Sequence, residues 1–158
     1  MILVLCGTQK QSFVRLVQAV EKLATANEII IQAGHTQYAS NQMKIFDFAT
    51  KAELATLYEK ADYIITHAGA GSMLQAVKAK KKTLAFPRLK KYGEHVDDHQ
   101  LQLAKKLEAL QYLLVFNDGD QFIDVFARLS QFKPKTYQLQ GKLTELIDDT
   151  LDAFFNNR

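Results

Sequence analysis

His67-Ala68-Gly69-Ala70-Gly71-Ser72 is a run of small residues closed by a hydroxyl, between the apolar stretch Tyr63–Thr66 and a helix-patterned stretch beginning at Ser72. Glycines let a backbone come close to a ligand, and a helix N-terminus offers unbonded amides and a partial positive charge. Such a turn can hold an anion, a phosphate above all, with Ser72 adding a hydroxyl. The same pattern also describes an ordinary glycine-rich strand–helix turn in which Ser72 merely caps the helix. It departs from the dinucleotide fingerprint, because Leu74 stands where the third glycine would be, and no Walker lysine follows.

A second polar cluster runs from Pro87 to Gln100, out of one apolar stretch and into a helical one. His95 and His99 lie four apart, on one helix face, where they could ligate a metal with Asp98. The alternative places His95 in the first turn, with His99 or Gln100 hydrogen-bonding a ligand or the backbone. No cysteine or further histidine lies nearby, which weighs against a metal and leaves the metal prediction at none. His35 and His67 are candidate polar contacts. Cys6 ends an apolar run with no base beside it, as a buried structural thiol would. Lys78, Lys80, Lys81 and Lys82 have no interleaved aromatics, the pattern of a solvated helix end rather than a nucleic-acid patch.

The elements that must position these residues alternate in type. Strand patterns cover Ile2–Cys6, Glu28–Gln32, Lys44–Phe48, Tyr63–Thr66, Thr83–Phe86 and Tyr112–Phe116. Helix patterns cover Ser12–Ala24, Lys51–Lys60, Ser72–Ala79, Val96–Leu110 and Asp120–Ser130. Thr50-Lys-Ala-Glu53 is a capping box, and Asp118-Gly-Asp-Gln121 reads as a similar helix start. The alternation predicts an α/β fold, a single doubly wound Rossmann-like domain with a parallel sheet of about six strands. That domain spans 1–132. Residues 133–158 form a linker around Pro134 and a C-terminal amphipathic helix with its stripe from Leu143 to Phe155. In such sheets ligands bind beyond the carboxyl ends of the strands, which directs attention to Gly7-Thr8-Gln9, Gly34-His35-Thr36, Ala49-Thr50, His67–Ser72, Pro87–Gln100 and Asn117-Asp118.

Composition narrows the classes. The 158 residues suit one domain, and a net charge of +3 is too small to argue for nucleic acid. The single cysteine excludes an internal disulfide and suits a reducing compartment. The N-terminus lacks a basic n-region, and no apolar run reaches the roughly 18–20 residues of a membrane span. The expected place is the cytoplasm.

Taken together, Leu5-Cys6-Gly7-Thr8, Ile65–Ser72, Pro87-Arg88 and Lys91–Gln100 resemble the nucleotide-sugar-binding half of GT-B glycosyltransferases. The likeness is greatest to small bacterial polysaccharide glycosyltransferase subunits and to the catalytic subunit of the two-part dolichol-pathway N-acetylglucosaminyltransferase. Glu94–Gln100 is particular to the bacterial branch, and the resemblance covers about residues 1–130. It implies that Gly7 and Thr8 approach a diphosphate, and that Gly69, Ala70, Gly71 and Ser72 hold its phosphates. It places Phe48 and Ala49 beside the uracil, and His99 with Gln100 at the donor sugar, next to Asp98. Relatives carry a glutamate for the ribose where this chain has Gln75, a neutral and weaker acceptor.

A complete GT-B enzyme has two such domains, and this chain has the length of one. The resemblance therefore implies a membrane-associated partner subunit that supplies the acceptor half and recruits the chain to the inner face of the membrane. The implied reaction is metal- and cofactor-free, inverting transfer from a UDP-sugar to a lipid-linked (polyprenyl diphosphate) saccharide in polysaccharide biosynthesis. The acceptor's base comes from the partner or from a histidine at the cleft, for which His67, His95 and His99 are the candidates. The alternative is a nucleotide-binding regulatory or scaffold subunit without transfer activity.

Overall fold

The computed structural model describes residues 1–96 and 99–136, residue 99 by its backbone alone. Its elements are β1 (Ile2–Leu5), α1 (Val14–Glu21), β2 (Ile29–Gln32), β3 (Lys44–Phe46), α2 (Lys51–Lys60), β4 (Tyr63–Thr66), α3 (Ala70–Lys78), β5 (Lys82–Ala85), a 3-10 turn (Lys90–Tyr92), α4 (His99–Ala109), β6 (Leu114–Val115) and α5 (Phe122–Gln131). The six strands pair in the order β3-β2-β1-β4-β5-β6, every pair parallel, which is the doubly wound sheet the alternation predicts.

β1 is buried along its whole length because helices cover both faces of the sheet. Ile2 and Val4 join Leu16, Val17 and Val20 of α1 and Val125 and Leu129 of α5 on one face. Leu3 and Leu5 join Tyr58 of α2 and Ala76 of α3 on the other. A second cluster on the α3 side packs Met73 and Val77 against Leu103 and Leu107 of α4. Each such side chain contributes roughly 1.5–3 kcal/mol by leaving water, so the central strand cannot slip by one residue without exchanging two buried sets.

The capping box at α2 forms as predicted. The Thr50 hydroxyl accepts from the Glu53 amide at 3.2 Å, and the Glu53 carboxylate accepts from the Thr50 amide at 2.7 Å. The second predicted cap does not. α5 has Gln121 at its N-cap with no side-chain bond, because Asp118 accepts instead from the Tyr92 hydroxyl and Lys91. Asp120 turns back to the Asn117 amide at 2.8 Å.

Several boundaries also move. α1 is shorter than Ser12–Ala24, α4 begins at His99 rather than Val96, and α3 begins at Ala70 rather than Ser72. Gly69 is therefore the N-cap of α3 and Ser72 its third residue. β6 loses Tyr112, whose amide closes α4 on the Leu107 carbonyl. β3 ends at Phe46, freeing Phe48 from the sheet. The predicted linker begins inside the described residues, and the C-terminal amphipathic helix, with its stripe from Leu143 to Phe155, lies outside them.

Candidate functional site

The sheet order reverses between β1 and β4, so the turns that follow these strands face each other across a crevice. The His67 ring lies in the gap. Its Nδ1 is 3.1 Å from the Leu5 carbonyl, which can only accept, so the ring proton is assigned to Nδ1 and Nε2 keeps its lone pair. A Cβ on Gly7 would come within 2.7 Å of His67 Nε2, and one on Gly69 within 2.2 Å. The glycines flanking this crevice thus make room for an imidazole as well as for any ligand.

Burial pushes the His67 pKa down to about 4, with the positive charge of Arg88 adding to the effect and the Leu5 bond opposing it. The ring is neutral at pH 7, and its Nε2 accepts rather than donates. An unfolded histidine has a pKa near 6.5, so between there and about 4 the unfolded chain binds the extra proton. Stability is therefore complete above pH 6.5 and falls as pH drops toward 4, by on the order of 1–3 kcal/mol. Urea melts at pH 7 and pH 4.5 are expected to show this loss, and His67→Asn, which keeps a donor but no titration, to flatten it. An unchanged slope in that variant would assign the acid sensitivity elsewhere.

Ala68, the next residue, has φ 64, a left-handed conformation that costs a non-glycine residue about 1 kcal/mol or more. The bend turns the chain so that α3 starts directly beside the crevice. No side chain caps that helix. The Ser72 hydroxyl donates to the Gly69 carbonyl at 3.0 Å and lies 2.8 Å from the Thr66 hydroxyl, so it braces the turn from within. A Cβ on Gly71 would meet nothing within 4 Å. The first turn of α3 therefore presents backbone amides and open space, the arrangement that suits an anion.

The segment after β5 is tied down by charge. Arg88 is 2% exposed. It donates to the carbonyls of Cys6 (2.8 and 3.3 Å), Gln11 (2.8 Å) and Glu94 (3.0 Å). Glu94, 4% exposed, takes a two-pronged bond from Arg15 at 2.9 and 2.7 Å and a third from the Leu89 amide at 3.0 Å. The Arg15 guanidinium lies over the rings of Phe86 (4.6 Å) and Tyr92 (4.9 Å).

On the other flank, Gly34 at φ 61 brings the turn after β2 against the turn after β1, where a Cβ would sit 2.2 Å from the Gly7 carbonyl oxygen. The Gln32 side chain links that carbonyl (3.3 Å) to the Asp47 carbonyl (2.8 Å). This holds Phe48, 53% exposed, with its ring edge-to-face with His35 at 5.2 Å. An exposed aromatic fixed by its neighbours is a stacking surface.

The family model described as the glycosyltransferase family 28 C-terminal domain matches residues 1–149. The chain belongs to this family. It is also 25% identical to the UDP-N-acetylglucosamine transferase subunit ALG13 of Yarrowia lipolytica, covering 89% of this chain and 78% of that one. A solution structure of ALG13 superposes with a TM-score of 0.59 at 21% identity, over 90% of this chain and 91% of that one. A kitacinnamycin glycotransferase superposes with a TM-score of 0.64 at 14% identity. There the chain spans 97% of its own length but 37% of the other's. Glycosyltransferase family, GT-B C-domain fold and likeness to a transferase subunit thus agree.

Within this family 28 domain the predicted residues lie as follows. Gly7, Gly69, Ala70, Gly71 and Ser72 meet at the β1–β4 crevice with His67, while Thr8 lies just beyond Gly7 and is exposed. Phe48 and Ala49 follow β3 on the flank. Gln75 lies on the exposed side of α3. His95 is half-buried after the 3-10 turn, His99 and Gln100 open α4, and Asp98 lies outside the described residues. Among the described residues no three histidine, cysteine, aspartate or glutamate side chains group to hold a metal ion. Cys6 is buried, its thiol pushed up to about 12 by desolvation. Lys81 and Lys82 donate to the carbonyls of Glu59 and Ser130, at the opposite end of the sheet. Glu94 lay in the polar segment the sequence singled out, but nothing marked Arg15 or its pairing with Glu94, the two being 79 residues apart in the chain. No helix among the described residues is long and apolar enough to cross a membrane.

Proposed function

We propose that the chain is the donor-binding catalytic subunit of a two-component, inverting glycosyltransferase that moves a sugar from a UDP-sugar to a lipid-linked saccharide in polysaccharide biosynthesis. The observation that carries this reading is the uncapped start of α3 at the sheet's switch point, with open space over Gly71. The amides of that turn would stabilise charge developing on the leaving UDP, which is electrostatic catalysis. Phe48 would take the uracil, and Gln100, with His99 and Asp98, the sugar. Since His67 is neutral with an accepting Nε2, it could take a proton, whereas a donor to phosphate would have to come from the backbone. The base for the acceptor would come from a cleft histidine or from a membrane-associated partner, which would hold the chain at the inner face of the membrane. The Yarrowia relative is named as a subunit, which supports the partner.

The test separates binding from folding. Gly71 is a helix residue with empty space around its Cα, so Gly71→Ala is expected to gain about 0.5–1 kcal/mol of stability. The same methyl intrudes where a phosphate would approach the amides. Calorimetry is expected to give UDP binding to the parent chain and at least tenfold weaker binding to the stabilised variant. Unchanged affinity, or binding of NAD in place of UDP, would overturn the reading. A second reading, a nucleotide-binding regulatory subunit, draws on Gln75 in place of the ribose carboxylate. Transfer to membrane lipid by the chain co-expressed with its partner, and its loss in Gly71→Ala, decides against it.

A further inference from the structure

Buried charges in folded proteins are paired, and Arg88 has no carboxylate in contact among the described residues. Its hydrogen bonds all end on carbonyl oxygens, those of Cys6, Gln11 and Glu94. The carboxylate of Glu94, whose backbone carbonyl Arg88 bonds, is engaged side-on by Arg15 instead. Among the described residues the cluster therefore holds the guanidinium ions of Arg15 and Arg88 against the carboxylate of Glu94, an excess of one positive charge. Apolar rings enclose it, with the Arg88 guanidinium 4.4 Å from the Phe13 ring centre. A carbonyl cluster solvates a cation but does not neutralise it.

The geometry also has a direction. Arg88 grips the Cys6 carbonyl from two nitrogens. In a planar trans peptide the following N–H points the opposite way, so this grip aims the Gly7 amide away from Arg88. No described group accepts from that amide.

We infer that Arg88 is a positioning residue for the donor diphosphate: it sets the Gly7 amide toward the ligand and supplies the buried positive charge that the diphosphate neutralises. The inference rests on the donor-site reading above, and goes beyond it in naming the residue that makes the site prefer a charged nucleotide over a nucleoside. The field also reaches His67, which Arg88 disfavours in its protonated form.

The experiment compares UDP, inorganic pyrophosphate and uridine, by calorimetry on the full chain at two ionic strengths. Arg88→Met is expected to weaken UDP and pyrophosphate by about tenfold or more, with uridine changed less than threefold and a shallower salt dependence. Arg88→Lys, which keeps the charge and loses the fork, is expected to fall between the parent and Arg88→Met in its preference for UDP over uridine. If Arg88→Met does not fold, Arg15→Met removes one positive charge from the same cluster at a partly exposed side chain and is expected to lower that preference in the same direction. Equal losses for UDP and uridine, or an Arg88→Lys as deficient as Arg88→Met, would overturn the inference and leave Arg88 a structural staple. Failure of the parent chain to bind UDP at all would instead remove the donor-site reading itself.

Discussion

Gly69→Ala is expected to cost about 2–4 kcal/mol of stability, and to cost much less in a chain that already carries His67→Ala. Gly69 has φ −66, so its backbone is one any residue adopts and the loss cannot be blamed on strain. The obstacle is the imidazole, since the new Cβ would lie 2.2 Å from Nε2 and 2.8 Å from Cε1. Swinging the ring away from the new methyl breaks its bond to the Leu5 carbonyl. Urea denaturation of the parent, both single variants and the double variant closes the cycle. A coupling above about 1 kcal/mol between the two positions is the expected result. Additive losses would mean that Gly69 is required by something other than His67. The cycle matters for function because the phosphate reading and the ring-clearance reading make the same glycine necessary for different reasons. UDP binding by the refolded double variant separates them.

The alternation of apolar and helical stretches made the parallel, doubly wound sheet legible, because burial on both faces forces near-continuous apolar strands. β1 and β4 agree with their patterns closely for that reason. The edges were less legible. β6 keeps only Leu114–Val115 because its preceding residues complete α4, a local competition that periodicity does not register. The glycine turn was visible, but the starting residue of its helix was not. Taking Ser72 as the first helical residue hides that Gly69 is the cap and that the hydroxyl points back into the turn. The Asp118–Gln121 cap failed because Lys91 and Tyr92, distant in the chain, compete for Asp118. The charged clamp was the least legible part: Arg88 and Glu94 stand in quoted motifs, but their joining with Arg15 exists only once β1, α1 and β5 are adjacent.

That clamp gives the other large expected effect. Glu94→Gln keeps the side chain's shape and removes its charge, leaving the Arg15 guanidinium without a carboxylate and weakening the bond from the Leu89 amide. Breaking one partner of a buried, two-pronged pair costs about 3 kcal/mol, whereas replacing both partners costs less than the sum. Arg15→Met with Glu94→Gln is therefore expected to be more stable than the added single losses imply, by more than about 1 kcal/mol. The consequence for binding follows from where the clamp sits. Residues 87–94 lead into His95 and the start of α4, where the sugar contacts are proposed, while Glu94→Gln leaves in place the Arg88 bonds to the Cys6 and Gln11 carbonyls and the bonds of His67 and Ser72 that hold the β4 turn. Glu94→Gln also raises the positive excess of the cluster. UDP is thus expected to bind the variant as tightly as the parent or more so, and a UDP-sugar to lose the advantage it holds over UDP. Parallel weakening of both ligands would instead show that the segment acts through the whole domain's stability, and the division of the site into a diphosphate half and a sugar half would not hold.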